Sequence, residues 1–335
     1  MIERKSLKNL ALNITEEEYR ADPSLSYSKL SSFFKQGPKA LISNEKIDTP
    51  SLRMGSLVDC ILTAPGEFDD RFYVADIDKF SDTIRKMTED LFNPEVDELS
   101  LIDDETTLMI LDSYQYQTNW KPETRIKKLI ELGSDYYTVL KYSTGKIVIT
   151  QQELEEAQSC VQTLKTHPFT YQIFDCNEDE EIFYQLKFKH TAAQINMRIM
   201  TDIIKVNHKE KWIQVYDLKT TGKNEEQFEE SFHSWNYWIQ SGMYLMVVEK
   251  NIHKDEYFKD FNVLPFKFIV INKNNLTPLI WEADSDYIYE EIFKKYNTSW
   301  KRLLSDANWH LQNGKFDYSR KSYENNGVNP IILKL

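Results

Sequence analysis

The sequence is poor in cysteine, glycine and proline, and these shortages exclude several classes of protein. Its three cysteines, Cys60, Cys160 and Cys176, show no CxxC spacing, so neither a disulfide framework nor a zinc or iron–sulfur site is indicated. Nine glycines and ten prolines are too few for a collagen-like or linker-rich chain. No GxxxxGKS/T segment is present, so ATP-driven translocation is not predicted.

Long apolar runs and an excess of basic charge are also absent. No run of about 18 apolar residues occurs, so the sequence predicts no membrane span. The first residues lack the apolar stretch of a signal peptide, and with unpaired cysteines this predicts a cytoplasmic protein. The formal net charge of −12 argues against a protein that mainly coats nucleic acid, but it permits an enzyme that contacts few phosphates.

A hydrophobic content of 41% is enough for a substantial core. Thr150 and Glu153 form a capping box at the start of a predicted helix that ends before Pro168. The hydrophobic period then changes from about 3.6 to 2. Strands are predicted over 181–190, 193–207, 211–222 and 265–273, and helices over 225–251 and 285–309.

This order of elements predicts an α/β fold with a mixed central β-sheet flanked by helices. We divide the chain into a mainly helical N-terminal region, residues 1–170, and a core, residues 171–335. Residues 76–148 are acid-rich and helix-prone and indicate no function.

Two acidic residues interrupt the apolar strands of the predicted core. Asp202 lies in "IMTDIIKV", and Asp217 follows fifteen residues later in "VYDLKTTG", with Lys219 on the same face of its strand. Two buried carboxylates repel each other, and a divalent cation such as Mg²⁺ or Mn²⁺ removes that repulsion. The lysine would position or help deprotonate a water that attacks phosphorus, and it would offset charge on the phosphate.

An ion pair on a solvated edge strand would give the same letters, and an acid-x-lysine triplet also occurs at Glu3–Lys5. The apolar flanks favour central strands, where unpaired charge is costly. Further along, Gln240 shares a predicted helix face with Tyr237 and Tyr244. Aromatic stripes are more often core than functional site, but the glutamine is harder to explain as core.

Four segments occur in an order typical of one family: "YSKLSSFFKQGPKALI", "RMGSLVDCILTAPGEFDDRF", "DIIKV" with "VYDLKTTG", and "YWIQSGMYL". Together they resemble the PD-(D/E)XK nuclease superfamily, and specifically its phage RecE-like branch (exodeoxyribonuclease VIII type). The resemblance covers about residues 25–300. It implies a restriction-endonuclease-like core and a metal-dependent deoxyribonuclease.

The resemblance also implies roles for individual residues. Asp202 and Asp217 would bind the metal, and the backbone carbonyl of Leu218 would complete its shell. Lys219 would be the motif lysine, and Gln240 would align the site.

One departure from the family concerns a GxxxH segment, which here runs from Gly55 to Asp59. Aspartate can also bind a hard cation, so Asp59 is a further candidate metal ligand. Alternatively, Asp59 is a solvated helix residue and Gly55 only allows close packing.

Phosphate contacts are expected from basic residues near these acids, although most exposed lysines only solvate the surface. The candidates are Arg53, Lys187, Lys189, Arg198, Lys205 and Lys223.

The function that the resemblance implies is exonucleolytic cleavage of linear double-stranded DNA, with Mg²⁺ as cofactor and Mn²⁺ as a substitute. The single-stranded tails would serve recombination with an annealing protein in a bacterial host, and a homo-oligomer is a further expectation. Two alternatives stay open: an endonuclease or single-strand nuclease, and an inactive DNA- or protein-binding module.

Overall fold

The computed structural model describes residues 3–43, 49–77, 79–329 and 331. The chain divides into two compact units, of which unit 1 comprises Met1–Ala64 and Ser159–Leu335, and unit 2 comprises Pro65–Gln158. The division at residue 170 stays a prediction. Across the described ranges, no helix is long and apolar enough to cross a membrane.

Fourteen α-helices are formed by the described residues. They are α1 (Glu16–Ala21), α2 (Tyr27–Gln36), α3 (Pro50–Thr63), α4 (Phe68–Arg71), α5 (Asp82–Leu91), α6 (Asp104–Ser113), α7 (Pro122–Tyr142), α8 (Gln151–Thr166), α9 (Tyr171–Phe174), α10 (Phe228–Ser234), α11 (Tyr237–Ile252), α12 (Ser285–Tyr296), α13 (Trp300–Asn313) and α14 (Arg320–Glu324).

The strands form two separate sheets. They are β1 (Phe72–Val74), β2 (Ile147–Ile149), β3 (Glu180–Ala192), β4 (Ile195–Asn207), β5 (Trp212–Thr221), β6 (Asn262–Val263), β7 (Phe266–Asn272) and β8 (Thr277–Ala283).

The large sheet of unit 1 is mixed, with the order β3-β4-β5-β7-β8 and β6 beside β5. Strands β3, β4 and β5 are antiparallel to one another, β5 and β7 are parallel, and β8 returns antiparallel to β7. Helices α3 and α11 contact the sheet. The predicted fold class, a mixed central sheet flanked by helices, is confirmed.

Helices α3 and α11 cover opposite faces of β5. A Cβ atom on Gly55 of α3 would lie 3.4 Å from Thr220 Oγ1, whereas Gln240 of α11 bonds to Asp217. Residues 217 and 220 point to opposite faces because side chains alternate along a strand. The strand that carries the acid-x-lysine triplet is therefore central and covered on both sides, not a solvated edge.

Unit 2 has its own small core. Strand β1 pairs with β2 in parallel, and apolar side chains of helices α5, α6 and α7 form one cluster. Its buried members are Ile84, Met87, Leu91, Leu99, Leu111, Ile126, Leu129 and Tyr137. This unit contains most of the region that the sequence left without a functional interpretation.

The predicted local structure is largely correct. The capping box of α8 is present, since Thr150 N donates to Glu153 Oε2 and Glu153 N donates to Thr150 Oγ1. Single continuous helices were predicted over 225–251 and 285–309. This was wrong, because each range contains two separate α-helices. Strand β8 was not predicted.

Candidate active site

Asp202 and Asp217 lie side by side where β4 and β5 stop pairing. The ladder of these strands ends with Ile203 opposite Tyr216, and one further step in the same register places Asp202 opposite Asp217. At that point Leu218 N donates to Asp202 Oδ2 at 2.8 Å. The Asp202 side chain thus accepts the hydrogen bond of the Leu218 amide in place of a backbone carbonyl of β4. Strands β4 and β5 therefore separate at the two acids.

Asp217 is held from two sides. It is 2% exposed, its Oδ1 accepts a 2.5 Å hydrogen bond from Gln240 Nε2, and its Oδ2 pairs with Lys219 Nζ. Gln240 is also buried, and no described residue donates to its Oε1. The amide therefore fixes the carboxylate and keeps one free acceptor beside it.

The surroundings of Asp202 disfavour its charged form. Burial, followed by repulsion from Asp217 and Asp59, raises the pKa of Asp202 well above its usual range. The opposing effects of Lys219 and of the Leu218 amide are smaller. A cation would therefore be bound more favourably here than at an isolated carboxylate.

Lys219 is fixed as an ammonium. Burial alone would lower its pKa, but attraction to Asp217, then to Tyr237 and Asp202, outweighs burial and raises the pKa above the usual range of lysine. Its Nζ lies 4.6 Å from the centroid of the Tyr237 ring, an arrangement that favours a cation. The proton on Lys219 is therefore hard to remove near neutral pH.

Asp59 is half-buried on α3, and its charge acts on Asp202. Gln185 Nε2 donates to Asp59 Oδ2 at 3.1 Å and to Thr63 Oγ1 at 2.8 Å. Thr63 Oγ1 in turn lies 3.2 Å from Asp59 Oδ1. These bonds orient the third carboxylate.

Gln185 is a residue of the site that the sequence did not predict. It lies on β3 opposite Asp202 in the register of these strands, but the two do not pair. Its φ of 52° is in the left-handed region that residues other than glycine seldom adopt. Strained backbone of this kind tends to occur at functional sites. The only signal in the sequence was a polar residue within "EIFYQLKF".

The donor set fits a hard divalent cation in its chemistry. It offers buried carboxylate oxygens, surplus negative charge and the unpartnered Oε1 of Gln240. Within the described ranges, no three acidic, histidine or cysteine side chains already form a metal-binding cluster. Metal binding by Asp59, Asp202, Asp217 and the Leu218 carbonyl stays a prediction.

Lys205 is not a phosphate contact. It is 5% exposed, its Nζ donates to the carbonyls of Gln172 and Asp175 at 2.7 and 2.9 Å, and it pairs with Glu180 at 3.1 Å. All three ammonium protons are thus used inside the protein. The sequence-based interpretation was wrong because an apolar strand gives no sign of which polar groups surround its lysine.

The other basic candidates differ in their surroundings. Lys189 pairs with Asp22, and Arg198, opposite it in the sheet register, lies 4.8 Å from the centroid of the Tyr19 ring. These two residues thus contact α1 or the residue that follows it. Half-buried Arg53 and Lys187 and exposed Lys223 complete the set, and DNA contact by all five stays a prediction.

No family model matches the chain, and no curated protein sequence matches it. Among solved structures, the chain is similar to a crystal structure of a protein from Eubacterium rectale that is provisionally named an exonuclease. The TM-score is 0.48 and the sequence identity 13%, over 96% of this chain and 97% of that chain.

Proposed function

We propose that this protein is a metal-dependent deoxyribonuclease that hydrolyses phosphodiester bonds with Mg²⁺, for which Mn²⁺ can substitute. The observation that carries the proposal is the convergence of Asp202, Asp217 and Lys219 where β4 and β5 separate. Two carboxylates with surplus charge suit a hard cation, and a fixed ammonium beside them suits a phosphate.

Asp202 and Asp217 would hold the cation, with Asp59 and the Leu218 carbonyl completing its shell. When bound, Mg²⁺ lowers the pKa of a water and polarises the phosphate that the water attacks. Gln240 keeps Asp217 in one orientation through its amide, so the carboxylate does not have to reorganise when the substrate arrives.

Lys219 has a narrower role than a general base. Attraction to Asp217 outweighs burial and raises its pKa, which favours the ammonium over the neutral amine that a general base requires. It would instead orient the attacking water by hydrogen bonding and stabilise the negative charge that develops on the phosphate oxygens.

The specific substrate we propose is the end of linear double-stranded DNA, with single-stranded tails as the product. This choice rests on the resemblance of the four sequence segments to the RecE-like branch. A phage or prophage origin, action in the bacterial cytoplasm, an annealing partner and a homo-oligomer belong to the same proposal.

The proposal can be tested by digesting end-labelled linear duplex DNA with Mg²⁺, with Mn²⁺ and with EDTA. Wild-type protein should shorten the duplex from its ends only with metal, and Asp217→Asn and Lys219→Met should shorten it at least about 100-fold more slowly. Lys5→Met is the matched control, because the triplet Glu3–Lys5 has the same acid-x-lysine pattern but its lysine pairs with Asp255, outside the site.

Other substrates distinguish the alternatives. Cleavage of circular or single-stranded DNA without loss of linear duplex would support the endonuclease or single-strand nuclease. Binding of DNA without cleavage of any form, by a folded protein with either metal, would support an inactive binding module.

A further inference from the structure

The helix that carries Gln240 begins after a strained break. Asn236, between α10 and α11, has a φ of 59° and is 3% exposed. The carbonyl of Trp235 accepts hydrogen bonds from Tyr27 Oη at 2.6 Å and Ser31 Oγ at 3.2 Å, and Asn236 Nδ2 donates to Ser31 Oγ. A left-handed asparagine persists only where its surroundings hold it, so this turn is firmly anchored on α2.

The anchored turn presents a tryptophan to solvent. Trp235 is 52% exposed, although a large aromatic side chain usually buries most of its surface. Lys35 of α2 places its Nζ 4.5 Å from the centroid of the indole ring. The turn therefore displays a flat aromatic surface with a positive charge beside it.

The backbone of the turn that carries Trp235 is linked to the acidic site by a series of contacts. Tyr27, which holds the Trp235 carbonyl, has its ring centroid 6.3 Å from that of Tyr237. The same Tyr237 ring lies 4.6 Å from Lys219 Nζ. The backbone of Trp235 is thus linked through Tyr27 and Tyr237 to the lysine that would contact the phosphate.

We propose that Trp235 is a stacking surface for an unpaired DNA base next to the phosphate that is cleaved, with Lys35 contacting a neighbouring phosphate. The inference rests on the proposed nuclease function and specifies how the substrate is held. Aromatic side chains beside positive charge are the usual means of holding single strands without reading their sequence. A base inside a duplex is already stacked on its neighbours, so a single strand or a frayed end fits better than a closed duplex.

The test compares Trp235→Ala and Trp235→Phe with wild type, and uses Trp120→Ala as control because Trp120 is another exposed tryptophan, 42% exposed. The hydrogen bonds at position 235 use the backbone carbonyl, so these variants should fold. Binding of fluorescein-labelled oligothymidylate and of blunt duplex DNA is measured by anisotropy, with Ca²⁺ in place of Mg²⁺.

We expect Trp235→Ala to weaken single-strand binding about tenfold, and blunt-duplex binding less, while Trp235→Phe stays near wild type. Trp120→Ala should be unchanged. In Lys35→Ala, a plot of the logarithm of single-strand affinity against the logarithm of salt concentration should be less steep by about 0.7, because one phosphate contact is lost.

Three results would overturn the stacking surface: unchanged single-strand affinity in Trp235→Ala, an equal loss in Trp235→Phe, or an equal loss on blunt duplex. A wild-type protein that neither binds nor cleaves any DNA would instead overturn the proposed nuclease function.

Discussion

Lys205 and Lys219 lie on neighbouring strands of one sheet and both pair with an acid, but Lys205 is buried, Lys219 is only half-buried, and their surroundings differ. Lys205 has one carboxylate and two backbone carbonyls as partners. Lys219 has the carboxylate of Asp217 and the faces of aromatic rings. The ammonium of Lys205 is therefore fully paired within the protein, whereas Lys219 contacts one carboxylate and lies under the influence of a second, that of Asp202.

The difference separates a structural ion pair from the one that we propose to be functional. A buried lysine whose protons are all used by the protein has none left for a ligand. Lys219 and its acids retain capacity for a cation and for a phosphate. Pairing with an acid does not distinguish the two lysines, whereas the donors and acceptors that remain around each of them do.

The largest expected effect is on catalysis. Lys219→Met should lower the rate of nucleotide release from labelled duplex about 100- to 1,000-fold, because the ammonium that stabilises the phosphate charge is lost. Lys205→Met should cleave at the wild-type rate at a temperature where it is folded. Cleavage by Lys219→Met above a tenth of the wild-type rate would contradict the assignment.

The next effect is on stability. Lys205→Met should lower the free energy of unfolding by about 3 kcal/mol, since the half-buried Glu180 carboxylate loses the cation that pairs with it and keeps hydrogen bonds from Asn177. Urea denaturation with and without Mg²⁺ measures it. The decrease in the free energy of unfolding should be the same with and without Mg²⁺. A smaller decrease with Mg²⁺ would show that Lys205 also belongs to a cation site.

Mg²⁺ itself should stabilise the wild-type protein, by about 2.7 kcal/mol at a hundred times its dissociation constant. The pKa of the Asp202 carboxyl is higher in the folded protein than in the unfolded chain. This carboxyl therefore makes the metal-free protein less stable as the pH rises from the unfolded-state pKa through the folded-state pKa. The gain from Mg²⁺ should therefore grow over that interval and vanish below it. A thermal shift series across pH, repeated with Asp202→Asn, checks this, and an equal gain in the variant would contradict it.

The smallest effects are expected at Gln185, whose amide orients Asp59. Gln185→Ala and Gln185→Gly should both lower activity about tenfold, the low end for residues that orient metal ligands. Gln185→Gly should be more stable than Gln185→Ala by about 1 kcal/mol, since glycine adopts a φ of 52° without strain. Equal stability in urea would show that the strain is not significant.

Sequence periodicity was sufficient to predict the strands that carry the acids. The apolar alternation around Asp202 and Asp217 gave β4 and β5 to within two residues, and their short connection brought the carboxylates together. Strand β8 was missed because Pro278 and a short apolar stretch are weak strand signals, and such a strand is tolerated at a sheet edge.

Features that depend on distant partners could not be predicted. The break before α11 is fixed by Tyr27 and Ser31, about two hundred residues away in sequence. The left-handed backbone of Gln185 is coupled to Asp59 and Thr63 of α3 in the same way. Local propensity contains no information about such contacts, and both fall next to the proposed site.

The path of the chain has a consequence for how this protein can vary. The chain leaves unit 1 after Ala64 and re-enters it at Ser159, so residues 65–158 are an insertion between Asp59 and Gln185, two residues that touch. The entropy of closing a flexible loop grows only with the logarithm of its length, by about 0.6 kcal/mol per doubling. Lengthening or replacing the insertion should therefore cost the active site little, and this segment can acquire new roles while the catalytic geometry is conserved.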